Sequence, residues 1–168
     1  MRNMGALVQA GILGLLLSTS VWAAEPPADN SADEGPSAAE LKQFRSQLQS
    51  VETEIVSKSV SLTTEEATRF WPVFERFQAE QGRIIDDQLA AIDSYASHYA
   101  TMTDQDAMAY VQALLDRDQR VHDLREKYLR EYAKVIDPGK AARVIHISRR
   151  LGLAAQAKLA NAIPLVRQ

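Results

Sequence analysis

From residue 37 onward the apolar positions recur at helical spacing. Leu41, Phe44, Leu48, Val51 and Ile55 step by three and four, which predicts an apolar seam on a helix over about 37–60. In Leu62-Thr63-Thr64-Glu65-Glu66 the Thr63 hydroxyl can accept from an orphan backbone N–H while Glu66 reaches back to the Thr63 N–H, a capping box. The helix it opens carries Ala67, Phe70, Phe74, Phe77, Ile84, Ile92, Tyr95 and Tyr99 on one face, with Pro72 inside it expected to kink it or remove a hydrogen bond. Forty residues on, Met102-Thr103-Asp104-Gln105-Asp106 repeats the pattern with Asp106 at the reaching position. This second start opens a helix through Val111, Leu114, Val121, Leu124, Tyr128, Tyr132 and Val135, and the likeness suggests a weak internal repeat. Asp137 before Pro138 is an N-cap followed by proline at the first helical position, opening a last helix through Val144, Ile147, Leu151 and Ala154. The apolar segment Ala162-Ile163-Pro164-Leu165-Val166 is expected to pack back on the body.

Residues 37–168 hold only three glycines (Gly82, Gly139, Gly152) and three prolines (Pro72, Pro138, Pro164), too few turn formers for a sheet protein of this size. The expected fold is all-α: about four long amphipathic helices in one domain over 37–168, an elongated, bent antiparallel hairpin arrangement. A helix of ~35 residues is ~50 Å long. Long helices in a thin layer leave apolar surface over, which points to a dimer or to an exposed concave face that binds something.

The 168 residues, 46% hydrophobic and 24% charged, include no Cys, which excludes a disulfide scaffold, a thiol nucleophile, a Cys-ligated zinc and a lipidated Cys. Ahead of the helices, residues 1–23 read as a secretory signal: Arg2, an apolar run from Ala6 to Leu17, and Val21-Trp22-Ala23 with cleavage after Ala23. The competing reading is an uncleaved membrane anchor. Residues 24–36 hold three prolines, four acids and no base, a solvated acidic linker. An exported protein, periplasmic and soluble after cleavage with no stable membrane anchor, is expected. The net charge of −3 is a signal of +1, a linker of −4 and a helical body of zero, and it argues against a nucleic-acid partner. That body is polarised, with six bases and ten acids in 37–102 against twelve bases and eight acids in 103–168.

On the third helix the apolar sector centres near Val111, and Asp118, His122 and Arg125 project into it. Asp118 and His122, and His122 and Glu126, are i,i+4 neighbours. The set reads as an ion-paired network at a helix or dimer seam, as a metal ridge of Asp118, His122 and Glu126 for Zn, Ni or Cu, or as a polar strip facing a client. His98, His122 and His146 lie 24 residues apart, which does not bring them together in a folded-back chain. From Pro138 onward there are six bases and no acid, with Arg143, His146 and Arg150 on one ridge. That ridge either faces water, pairs with the acidic second helix (Glu75, Glu80, Asp86, Asp87), attracts acidic or unfolded polypeptide, or meets a membrane surface. Phe70, Trp71, Phe74 and Phe77 read as core, with Trp71 off the face's centre and best placed for an exposed binding surface. No phosphate-binding loop, nucleophile elbow or H-E-x-x-H motif occurs, so no catalytic residue or cofactor is assigned and an enzyme is not expected.

The export signal, the Cys-free body of long helices and the two capped starts resemble the Spy/CpxP family of periplasmic proteins, which includes zinc-resistance-associated proteins and heavy-metal sensors. The family motif is Leu-Thr-x-x-Gln; here its final Gln is replaced by Glu66 and by Asp106. The resemblance covers Leu41 to about Leu159 and implies a cradle-like antiparallel homodimer. Such a dimer holds unfolded envelope polypeptides without ATP, responds to stress, or serves a membrane sensor domain. From the residues themselves, the candidate client-binding set is Trp71, Arg143, His146 and Arg150, and the helix caps are Thr63, Glu66, Thr103, Asp106 and Asp137.

Overall fold

The computed structural model describes residues 37–166, so the expected signal and acidic linker lie outside the described residues. Four helices, α1 (Ala38–Ser59), α2 (Thr64–His98), α3 (Asp104–Ala133) and α4 (Pro138–Ala162), follow in order, with a short 3-10 turn at Tyr99–Thr101. No strand occurs among the described residues, and the fold is all-α. None of the helices is long and apolar enough to cross a membrane.

Each helix begins where its cap dictates. Thr63 Oγ1 accepts from the Glu66 N–H at 3.2 Å, and Glu66 accepts from the Thr63 N–H at 2.9 Å. Thr103 and Asp106 form the same reciprocal pair, and Ser37 with Glu40 forms a third that opens α1. Asp137 accepts from the Gly139 N–H at 2.9 Å before Pro138 starts α4. These bonds satisfy donors left orphan at a helix start and contribute ~1 kcal/mol each. Glu66 also accepts from Lys140 at 2.6 Å, which ties the start of α2 to the start of α4. α2 runs unbroken through Pro72, whose ring lies on its exposed side.

α1 packs on α2, α2 on α3, α3 on α4, and α4 returns to α1, so the two hairpins close into a four-helix ring around a shared interior. At the end where α1 turns into α2 and α3 into α4, Phe70, Phe74, Phe77, Tyr128 and Tyr132 form a continuous ring stack joined by Val56, Val60, Ile136 and Val144. At the other end Leu41, Ile85, Leu89, Ile92 and Leu159 form a smaller aliphatic cluster. The C-terminal segment folds back there: Ile163 packs on that cluster, and the Tyr95 and Tyr99 hydroxyls donate to the carbonyls of Pro164 and Leu165 at 3.0 Å.

Two faces differ from the sequence expectation. On α1 the core-facing residues are Leu41, Glu52, Val56 and Val60, whereas Phe44, Leu48 and Ile55 are half-buried and Val51 is exposed. α1 touches only α2 and α4, so its predicted seam lies along the edge shared with α4 rather than over the centre. On α3 the buried residues are Val121, Leu124, Tyr128 and Tyr132, while Met108, Val111 and Leu115 are exposed. Leu41, near the start of α1, is level with Leu89 and Ile92, so the tip of the α2–α3 hairpin runs past α1. At that tip Tyr95 stacks on Tyr110 at 4.0 Å, and the C-terminal segment packs against it.

Candidate functional site

Between the two apolar clusters lies a polar layer to which every helix contributes: Glu52 from α1, Gln81 and Gln88 from α2, Arg117 and Arg125 from α3, Ser148 and Gln156 from α4. They line a narrow cavity of about 20 Å³, room for one water. Gln88 and Gln156 exchange hydrogen bonds across the interior at 2.8 and 3.3 Å, and Gln81 donates to the Ser148 hydroxyl at 3.4 Å. Glu52 is 1% exposed, and neither of its carboxylate oxygens has a partner at hydrogen-bonding geometry; the Gln81 Oε1 and Tyr132 hydroxyl are also unpartnered. Burial pushes the Glu52 carboxyl upward, against the opposing pull of Ser148, Gln81, Gln78 and the Arg125 charge. The Arg125 guanidinium, lowered by burial and by nearby Arg117, donates to the Ser148 carbonyl at 3.4 Å. A Cβ on Gly152 would stand 2.5 Å from Arg125 Nη2, so the absence of a side chain there makes room for the guanidinium.

Just outside this layer, α1 and α4 part to leave a groove of about 590 Å³. Ile55 and Ser59 of α1 line it with Arg143, His146, Ile147, Arg150, Leu151 and Ala154 of α4; Ile55, Ile147 and Leu151 are half-buried, and the Arg and His side chains are exposed. Arg143, His146 and Arg150 have no ion pair among the described residues, and three acids of α2 pair with α1 and α3 instead. Glu80 pairs with Lys127 at 2.8 Å and Asp87 with Arg120 at 2.7 Å, both on α3, while Asp86 pairs with Arg45 of α1 at 2.9 Å. For Glu80 burial alone would raise the carboxyl, but hydrogen bonds from Lys127 and Tyr128 more than offset it and hold it below the usual range. Among the described residues no acid lines the groove, so its two guanidinium groups stand beside apolar side chains without a counterion there.

The structure separates the residues that the sequence grouped. Asp118 is exposed and pairs with Arg117 at 2.7 Å; His122 is exposed and lies 3.6 Å from Glu126. Arg125 turns inward to the Glu52 layer beside Arg117, so among the described residues the three share no direct hydrogen bond or ion pair with one another. Among the described residues no group of three or more His, Asp or Glu is placed to hold a metal ion. Trp71 does not stand free: it is half-buried and lies edge-on to Phe70 and Phe74 at 5.1 and 5.5 Å. Arg143, His146 and Arg150 do share one surface, and Ile55 and Ser59 of α1 line the same groove.

The polar layer went unread in the sequence although its signal is there. The inward stripe of α2 runs Phe70, Phe74, Phe77, Gln81, Ile84, Gln88, Ile92 and Tyr95, so two glutamines occupy core positions in an otherwise apolar series. Glu52 likewise precedes Val56 and Val60 in steps of four. No protein-family model, curated protein or solved structure matches the chain.

Proposed function

We propose that this chain is an exported, ATP-independent binding protein that holds an extended, acidic stretch of unfolded or partner polypeptide in the α1–α4 groove. One observation carries the reading: the guanidinium groups of Arg143 and Arg150, with His146 between them, have no ion pair among the described residues and line an open groove with the apolar Ile55, Ile147 and Leu151. The ridge geometry indicates what fits. Arg143 and Arg150 are seven residues apart on a helix, ~10.5 Å along its axis. An extended peptide advances ~3.3 Å per residue, so acids three or four positions apart match the two guanidinium groups while apolar side chains between them meet Ile55 and Leu151. The charges steer and orient the ligand, and the apolar side chains of the groove supply the burial. The two capped starts that resemble the Leu-Thr-x-x-Gln motif support the same class of function.

The test is suppression of aggregation of an unfolded client at equimolar protein, together with the affinity of a labelled peptide carrying acids at that spacing. Arg143→Glu with Arg150→Glu is expected to weaken peptide binding at least ~10-fold, and added salt should weaken wild-type binding as the attraction is screened. Unchanged thermal unfolding of the variant confirms that the bundle is intact. Equal affinity for wild type and variant would remove the groove from the function.

A further inference from the structure

The chain carries a stretch whose charge is opposite to that of this groove. Residues 24–36 include Glu25, Asp29, Asp33 and Glu34, with no base among them, and the lining of the groove has cations without an acid. Both halves of the complement are therefore written in one chain, and each lacks its own counterion locally.

The reach is sufficient. Ile55 lies seventeen residues into α1 from Ala38 and Ser59 twenty-one, which places the groove ~26 to 32 Å along the helix from its start. Asp29 precedes Ser37 by eight residues and Glu25 by twelve, spans of up to ~26 and ~40 Å when extended. A segment turning back at Ser37 and running antiparallel to α1 thus brings Asp29 level with Ile55 and Glu25 past the far end. The four-residue spacing of those acids covers ~13 Å extended, within reach of two arginine side chains whose Cα atoms are ~10.5 Å apart along the helix.

We infer that the acidic segment 24–36 docks in the α1–α4 groove of its own chain, across Arg143, His146 and Arg150, and is displaced when an outside acidic polypeptide binds. This rests on the reading of the groove as a polypeptide site. A tether of this length holds its acids near the groove at an effective concentration on the order of millimolar, so the segment acts as a built-in competitor.

The experiment compares the full chain with a variant in which Glu25→Gln, Asp29→Asn, Asp33→Asn and Glu34→Gln are combined. The probe is a fluorescent synthetic peptide of residues 24–36 added in trans, with the side-chain N–H resonances of Arg143 and Arg150 as a second readout. Neutralising the segment should tighten binding of the added peptide about 10-fold and shift both arginine resonances. The shift should not depend on protein concentration, and Arg143→Glu with Arg150→Glu should abolish binding in either background. Equal affinity for wild type and neutralised chain overturns the inference, as does failure of the peptide to bind either one. A resonance shift that appears only at high protein concentration also overturns it, because the occupant is then a neighbouring chain. The apolar client assay with the groove variant decides the polypeptide-site reading separately, so a failure of self-docking and a failure of that reading are told apart.

Discussion

At the end of the bundle where α1 passes into α2 and α3 into α4, fourteen buried residues pack around a run of aromatic rings; at the opposite end five aliphatic residues do the same work. The first cluster draws on all four helices, with Phe70 and Tyr132 meeting at 5.3 Å and Phe77 and Tyr128 at 5.2 Å. The second relies on half-buried Phe44, Leu48, Tyr110 and Ile163 for its cover, and on two tyrosine hydroxyls that hold the C-terminal segment. Ring-on-ring packing adds directional preference to area burial, so the aromatic end fixes the register of the helices. The aliphatic end only completes their closure. Between them the Glu52 layer interrupts the apolar core where diagonally opposed helices meet.

That contrast can be broken from its strong side first. Phe70→Ala should cost about 4 kcal/mol and lower the whole chemical-denaturation curve, since the ring touches Trp71, Phe74 and Tyr132 in one fully buried site. Ile92→Ala, equally buried, should cost about 3 kcal/mol. Its hydrogen-exchange signature should be local opening of the α2–α3 tip and of the C-terminal segment before global unfolding. If both truncations lowered protection evenly along the chain, the two ends would form one cooperative unit rather than two.

The layer between them sets a third expectation. The folded Glu52 carboxyl lies above its ordinary value near 4.5, so the folded state holds a proton that the unfolded state releases as pH rises past that value. Stability should therefore fall with increasing pH from about 4.5 through the raised folded value. Glu52→Gln removes the ionisation. It should add about 1–3 kcal/mol near neutral pH by removing a buried charge without hydrogen-bond partners, and flatten the slope in a series of melts from pH 4 to 8. A slope retained in the variant would place the titration elsewhere. The smallest effect belongs to Tyr95→Phe, which deletes the bond to the Pro164 carbonyl and should cost about 1 kcal/mol, read as faster exchange at the last turn of α4.

The extent to which the sequence foretold this arrangement follows how much each helix is surrounded. α2 packs on both α1 and α3 and meets α4 side chains across the interior, so its 3.6-residue stripe maps onto burial almost residue by residue. The starts were legible because a cap is a local device: Thr63, Thr103 and Asp137 each satisfy a donor two or three residues away. α1 and the first half of α3 lie at edges, and there periodicity names an apolar face without saying whether a neighbour covers it. Val51 and Val111 were read as seam residues and are exposed for that reason. The grouping of Asp118, His122 and Arg125 placed them correctly on one ridge but not their surroundings: Asp118 and His122 are exposed, whereas the longer Arg125 side chain reaches the Ser148 carbonyl of α4. The groove itself depends on the angle at which α1 and α4 diverge, which no single helix encodes.

The return of the C-terminal segment to Tyr95 and Tyr99 puts the last described residues at the same end as Leu41 and the start of α1. Load applied between residues 37 and 166 therefore enters at one pole and parts α1 from α4 in sequence, bond after bond, as a zipper opens. Such a bundle yields at low force along the seam that holds the groove, while the aromatic pole, farthest from both points of attachment, is the last to feel the pull.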